Sequence, residues 1–312
     1  MAELQYDICS YLASVRMSSK IRVLVEGKDD RPHVTNVINY FCNRVKFKVD
    51  VASDIKGDCK VTSKNNRAKI EKIHSITKDK AGFSSLVFLC DRETRGFSIS
   101  AHVRDDIGGH YVDGSLSWTM GHSLENYFIN SVVFSDGLRY LTASAFKDDA
   151  TAMFIKRFES AVKLVARLTL AAEEFGNASY PCGIISWRNL RVGIEENVAV
   201  DFSGISNPAV SKFQSIFDSY GDCVEASSYE VCLNLCRGHT ALVVLKRIYA
   251  RCLYEAARSF EEKVAEYEAN LFDNISESLI ANALSEAWIK RLGGGEVFYP
   301  APLVDTVHAV AS

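Results

Sequence analysis

The sequence predicts a two-part α/β protein, with a parallel sheet carrying helices on both faces over residues 1–135 and an all-helical region over 136–312. Three observations carry this. Short apolar runs alternate with helix-period segments up to about residue 135, the pattern of parallel strands covered on both faces. Beyond that point apolar residues recur mainly at helical spacing. The apolar runs also end abruptly in acidic residues, where a parallel sheet presents functional side chains.

Taken in order, residues 3–17 put Leu4, Ile8, Tyr11, Leu12 and Val15 on one helical face. A first strand follows at 21–25, a helix at 31–43 and a second strand at about 46–52. The loop "SDIKGDCK" leads to a polar helix over about 64–79, and a third strand, "SSLVFLC", runs into Asp91. A short fourth strand near "LSWTM" precedes "GHSLENYF". In the second part, "AMFIKRFESAVKLVARLTLAAEEF" reads as one long amphipathic helix, with further helices at about 211–220, 228–258, 260–272 and 277–291. Loops are expected at 176–179 and in "VDFSGISNPAVS", and the Pro-bearing tail after the glycines 293–295 is expected to end the helices.

Composition bounds the class. A content of 47% hydrophobic and 24% charged residues is that of a soluble globular protein. No apolar run approaches the roughly 18–20 residues that cross a bilayer, and "MAELQYDICS" lacks the basic and apolar regions of a signal peptide, so no membrane association and a cytoplasmic location are expected. Nine scattered cysteines suit reduced thiols. Cys223, Cys232, Cys236 and His239 lie close in sequence, but without a Cys-x-x-Cys pair they read as a buried helix face rather than zinc ligands. Net charge is −3, yet residues 20–80 hold 15 Lys/Arg against 8 Asp/Glu, which points to either a basic surface there or a solvated lysine-rich helix.

The stretch "IRVLVEGKDD" (21–30) poses the chemical question. A phosphate loop needs Gly-x-x-x-x-Gly-Lys-Ser/Thr, whereas here the run before Gly27 is apolar and Lys28 is followed by Asp29. The acidic reading is better supported. Glu26 ends the first strand, and Asp30 shares its face if a helix starts at once. Asp91 and Glu93 follow the third strand two apart, as do Ser123 and Glu125 after the fourth, so in extended chain each pair points one way. Five carboxylates and a hydroxyl at three strand ends suit Mg2+ or Mn2+, and two such ions about 4 Å apart activate water and steady a leaving oxygen. Asp29 reads as a helix N-cap, Lys28 as a phosphate contact or a solvated lysine, and His122 as a proton shuttle or a structural histidine.

"VLVEGKDD", "VFLCDRETRG" and "HSLENYF" together resemble the TOPRIM domain of topoisomerases, primases and overcoming-lysogenization-defect (OLD) nucleases. "SLENYF" and the helical second half resemble, more narrowly, the OLD-like TOPRIM family that supplies the nuclease effectors of PARIS anti-phage systems. The resemblance covers about residues 20–130. It implies a Rossmann-like TOPRIM fold in which Glu26 is general base or metal-bound acid, Asp91 and Glu93 fill an Asp-x-Asp motif, and Glu125 is an additional acid. Glu93 departs from the commoner Asp, and Gly238-His239 stands where the family's Gly-Lys is expected, read here as a helix junction. The resemblance further implies a toxin effector that cleaves RNA, transfer RNA included, after release from an ABC-type ATPase that senses a phage trigger. A homodimer of the released form is expected because one acidic cluster cuts one strand at a time. The rival readings are a DNA-cleaving nuclease of the same kind and a non-catalytic subunit that keeps the fold. A primase would need accompanying modules and a topoisomerase a large cleavage domain, and neither is visible in 312 residues.

Overall fold

The computed structural model describes residues 6–193 and 196–311. Its core is a five-stranded sheet that combines four parallel strands with an antiparallel edge. The first strand, Ile21–Val25, lies between the second, Phe47–Val51, and the third, Leu86–Cys90, and the fourth, Leu116–Trp118, pairs with the third. The edge strand Val112–Asp113 runs antiparallel to the fourth. Every residue of the first and third strands is buried, as expected of strands covered on both faces. Because the chain crosses from the first strand to one neighbour and from the third to the other, the order reverses between the first and third strands. In open α/β sheets the crevice at that reversal is where ligands bind.

One buried ion pair interrupts the apolar core. Arg22 and Asp50 are 7% and 8% exposed, with Nε 2.5 Å from Oδ2, and the Tyr11 hydroxyl donates to the same carboxylate at 3.3 Å. This fixes the helix Ile8–Arg16 against the first and second strands. Residues 3–5 of the expected first helix lie outside the described residues, and Tyr6–Asp7 instead pairs with Ile55–Lys56 as a short parallel ribbon. The Asp7 side chain caps the helix by accepting the Ser10 N–H at 2.7 Å.

The chain parts into two interleaved compact units, where the sequence suggested a boundary at residue 135. Among the described residues, the sheet unit comprises 6–92, 107–124 and 298–311, and the helical unit 93–106, 125–193 and 196–297. The tail expected to lie beyond the helices forms a helix, Ala301–Ala311, in the sheet unit. Pro302 is tolerated in its first turn, where its missing N–H has no intrahelical partner, and Leu303, Val304 and Val307 are buried. Tyr299, just before it, stacks on Phe41 at 4.3 Å between centroids.

The helical unit is not all-helical. Leu190–Val192 pairs antiparallel with Val198–Val200, and Phe97–Ile99 with Val103–Asp105. Runs of three residues are too short to stand out against helical periodicity. The long segment 152–175 also divides, into Lys147–Lys156 and Phe158–Phe175, around Arg157. Gly176, at φ +78°, closes the second helix in the left-handed conformation that glycine adopts without cost. Within that helix Val165, Ala166, Leu168, Leu170, Ala171 and Ala172 are buried. Among the described residues no helix is long and apolar enough to cross a membrane.

A pH dependence follows from His74, which is 4% exposed in the helix Asn66–Thr77 and edge-on to Phe88, with Nδ1 4.0 Å from Asp113. Burial pushes its pKa below 6.5 against a smaller upward pull from Asp113. The unfolded chain therefore takes up the proton first. The stabilisation is complete above the unfolded value near 6.5 and is lost as pH falls through the lowered folded value. Urea unfolding midpoints are expected to drop as pH falls below about 7, and to drop less in His74→Gln. An equal drop in both proteins would assign the titration to another group.

Candidate functional site

The first strand ends at Val25, and the four residues after it form a bend and a turn, with the next helix starting at Asp30. Glu26 and Asp30 therefore do not share a helix face as expected. The Asp30 carboxylate turns back and accepts the Gly27 N–H at 2.7 Å. Asp29 occupies the N-cap position, but its side chain makes no capping hydrogen bond. Lys28 is exposed, with its Nζ 3.7 Å from Asp54, and Arg31 reaches the same carboxylate at 2.9 Å. Asp54 follows the second strand, so these contacts tie the exits of two neighbouring strands together.

Across the reversal point, the Glu26 carboxylate accepts the backbone N–H of Asp91 at 2.9 Å. Asp91 in turn accepts the Leu124 N–H at 3.1 Å. The exits of the first and third strands are thus tied together, the half-buried Glu26 carboxylate to the backbone of Asp91 and the half-buried Asp91 carboxylate to the backbone of Leu124. The intervening Arg92 is fully buried. Its backbone N–H donates to the Thr119 hydroxyl at 3.0 Å and its Nη1 to the Met120 carbonyl at 2.8 Å, which sews the exit of the third strand to that of the fourth. Ser123 is buried and His122 half-buried in the same segment.

The chain does not stay extended beyond Asp91. Glu93 has φ +53°, a left-handed backbone that is uncommon for a residue with a side chain, and it opens a turn. The alternation that put Asp91 and Glu93 on one side therefore does not apply. Glu125 is likewise not in extended chain but in the 3-10 helix Leu124–Phe128. Both glutamates belong to the helical unit. There Asn126, 5% exposed, donates from Nδ2 to the carbonyls of Leu233 at 2.7 Å and Cys236 at 2.9 Å. Phe128 packs on Trp288 at 4.9 Å between centroids. The "LENYF" segment is thus anchored at the end of the helix Tyr229–Leu235, at the junction expected around Gly238-His239. Gly238 starts the next helix, and His239 pairs with Glu277 at 3.3 Å.

Two charged residues in the sheet unit were not anticipated. The buried Cys90 thiol is pushed well up, first by burial and then by the carboxylates of Glu26, Asp91 and Glu71, with the Arg67 guanidinium opposing. Arg67 and Glu71 are one turn apart at the start of the helix that leads into the third strand. That end of a crossover helix lies at the carboxyl edge of the sheet, and the i, i+4 spacing at the helix start was the available signal.

Among the described residues, no group of three or more His, Cys, Asp or Glu side chains is placed to hold a metal ion. The donors present, carboxylates fixed by backbone N–H groups, are of the hard-oxygen kind that suits Mg2+, which is commonly held by one or two carboxylates completed by water and substrate phosphate. The cysteine cluster differs in chemistry. The Cys232 thiol donates to the Val224 carbonyl at 3.8 Å and the Cys236 thiol to the Val162 carbonyl at 3.5 Å. Burial pushes the first to about 12 and the second well above its usual value. No protein-family model matches the chain, and no curated protein matches it significantly.

Proposed function

We propose that this protein is a divalent-metal-dependent nuclease of the OLD-like TOPRIM kind, with Glu26 and Asp91 at its centre. The observation that carries the reading is the hydrogen bond from the Asp91 backbone N–H to the Glu26 carboxylate, which joins the acidic exits of the first and third parallel strands at the reversal point. When bound, Mg2+ or Mn2+ supplies Lewis-acid polarisation of a phosphoryl oxygen and a more acidic water. Glu26 and Asp91 would hold the ion, with Asp30, the first residue of the helix that follows Glu26, as a further candidate ligand. Glu93, Glu125 and the Ser123 hydroxyl remain candidate ligands on the resemblance alone, as does His122 for proton transfer. The Asp91 N–H on Glu26 and the Leu124 N–H on Asp91 orient both central carboxylates before substrate arrives, which limits the reorganisation needed during the reaction.

RNA is the favoured substrate, and the biological setting follows the resemblance: a defence effector kept silent by an ABC-type ATPase and released by a phage trigger to arrest translation. Incubating the purified protein with total cellular RNA and with plasmid DNA, each with Mg2+ or EDTA, tests the reading. Metal-dependent cleavage of RNA alone is expected. Cleavage of plasmid alone would reassign the substrate to DNA, and no cleavage of either would favour a non-catalytic subunit.

A further inference from the structure

The loop that follows the second strand is built more firmly than a connection requires. Gly57 packs so closely under the loop that an added Cβ would lie 2.3 Å from the Ser63 nitrogen and 2.4 Å from the Thr62 carbonyl carbon. Thr62, 3% exposed, accepts the N–H groups of Asp58 and Cys59 at 3.1 and 3.2 Å and donates to the Asp58 carboxylate. From the following helix, the buried Lys69 ammonium donates to the carbonyls of Ala52 at 2.6 Å and Ile55 at 2.5 Å, and Lys72 pairs with Asp58 at 2.8 Å. The base and the flank of the loop are therefore both fixed.

This scaffold displays positive charge. Lys56, Lys60 and Lys64 are exposed, with Val61 63% exposed between the last two. Neither Lys60 nor Lys64 makes a side-chain hydrogen bond or ion pair among the described residues. The one acid within the loop, Asp58, is already neutralised by Lys72. The start of the 12-residue helix Asn66–Thr77 adds the positive end of its dipole. The loop leaves the sheet at the carboxyl edge that bears Glu26, to which it connects through Asp54 and its contacts with Lys28 and Arg31. A merely solvated lysine face would not need a rigid, over-anchored loop.

We propose that residues 56–64 form a preorganised docking surface for the phosphodiester backbone of a nucleic acid, with Lys60 and Lys64 as its main phosphate contacts. The proposal rests on the nuclease reading for the role of the bound strand, but its test does not require cleavage. In the Glu26→Gln background, binding of a fluorescein-labelled single-stranded RNA and of the matching DNA is followed by anisotropy at several salt concentrations. Lys60→Glu with Lys64→Glu is expected to weaken binding by at least about tenfold and to flatten the log–log salt dependence by about 1.4, roughly 0.7 for each lost contact. Lys156→Glu with Lys263→Glu, which makes the same change in net charge at exposed sites of the helical unit, is expected to change affinity less than about twofold. The milder Lys60→Gln with Lys64→Gln is expected to fall between, with an unchanged melting temperature. Equal weakening by both charge-reversed pairs, no weakening by the loop pair, or no binding by the parent protein overturns the proposal. Stronger retention of RNA or of DNA identifies which backbone the surface prefers. Persistent cleavage by Glu26→Gln would instead count against the metal site and leave the binding result intact.

Discussion

Glu26→Gln is expected to fold normally and to lose phosphodiester cleavage by at least ~100-fold, since even outer partners of a metal ligand are worth about 10–100-fold. The amide keeps an oxygen able to accept the Asp91 N–H, so the bond at 2.9 Å survives and the change isolates the charge. Glu26→Ala removes that acceptor as well. It is expected to be equally inactive and to cost about 1 kcal/mol of stability at this half-buried position. Single-turnover cleavage in Mg2+ and urea unfolding of both variants measure the two effects. Near wild-type cleavage by either variant would remove Glu26 from the chemistry.

The second large effect separates the acidic pair. Asp91→Ala is expected to abolish cleavage, and Glu93→Ala to be no more damaging. Asp91 directly follows the third strand, contacts Glu26 through its backbone N–H and is itself fixed by the Leu124 N–H. Glu93 sits one residue into the turn, on a left-handed backbone. Metal titration of the two variants checks the assignment. If Glu93→Ala loses metal while Asp91→Ala keeps it, the ligand roles are reversed.

The sheet and its acidic exits were legible because parallel strands buried on both faces read as continuous apolar runs. "IRVLV" and "LVFLC" end within a residue of Glu26 and Asp91 in both sequence and structure. Spacing arguments beyond those ends failed where they assumed a regular backbone. The helix starts at Asp30, a residue before its expected start, so the shared face that required a helix from Glu26 onward does not form; Glu93 turns left-handed, and Glu125 lies in a 3-10 helix. Turn geometry of this kind is set by tertiary hydrogen bonds, such as the reach of Asn126 to Leu233 and Cys236 over more than 100 residues, which local periodicity does not encode. The return of the tail as the helix Ala301–Ala311 is equally non-local. Arg67 and Glu71 were hidden because i, i+4 charges at a helix start usually mark a solvated face.

The central claim is that Glu26 and Asp91 together hold a divalent cation. It is tested most directly by the electron paramagnetic resonance signal of free Mn2+, titrated with protein in the presence of an uncleavable phosphorothioate RNA. Wild-type protein is expected to deplete the signal, and Glu26→Gln and Asp91→Ala are expected to leave it. Equal depletion by all three proteins, or none by wild type, would contradict the account.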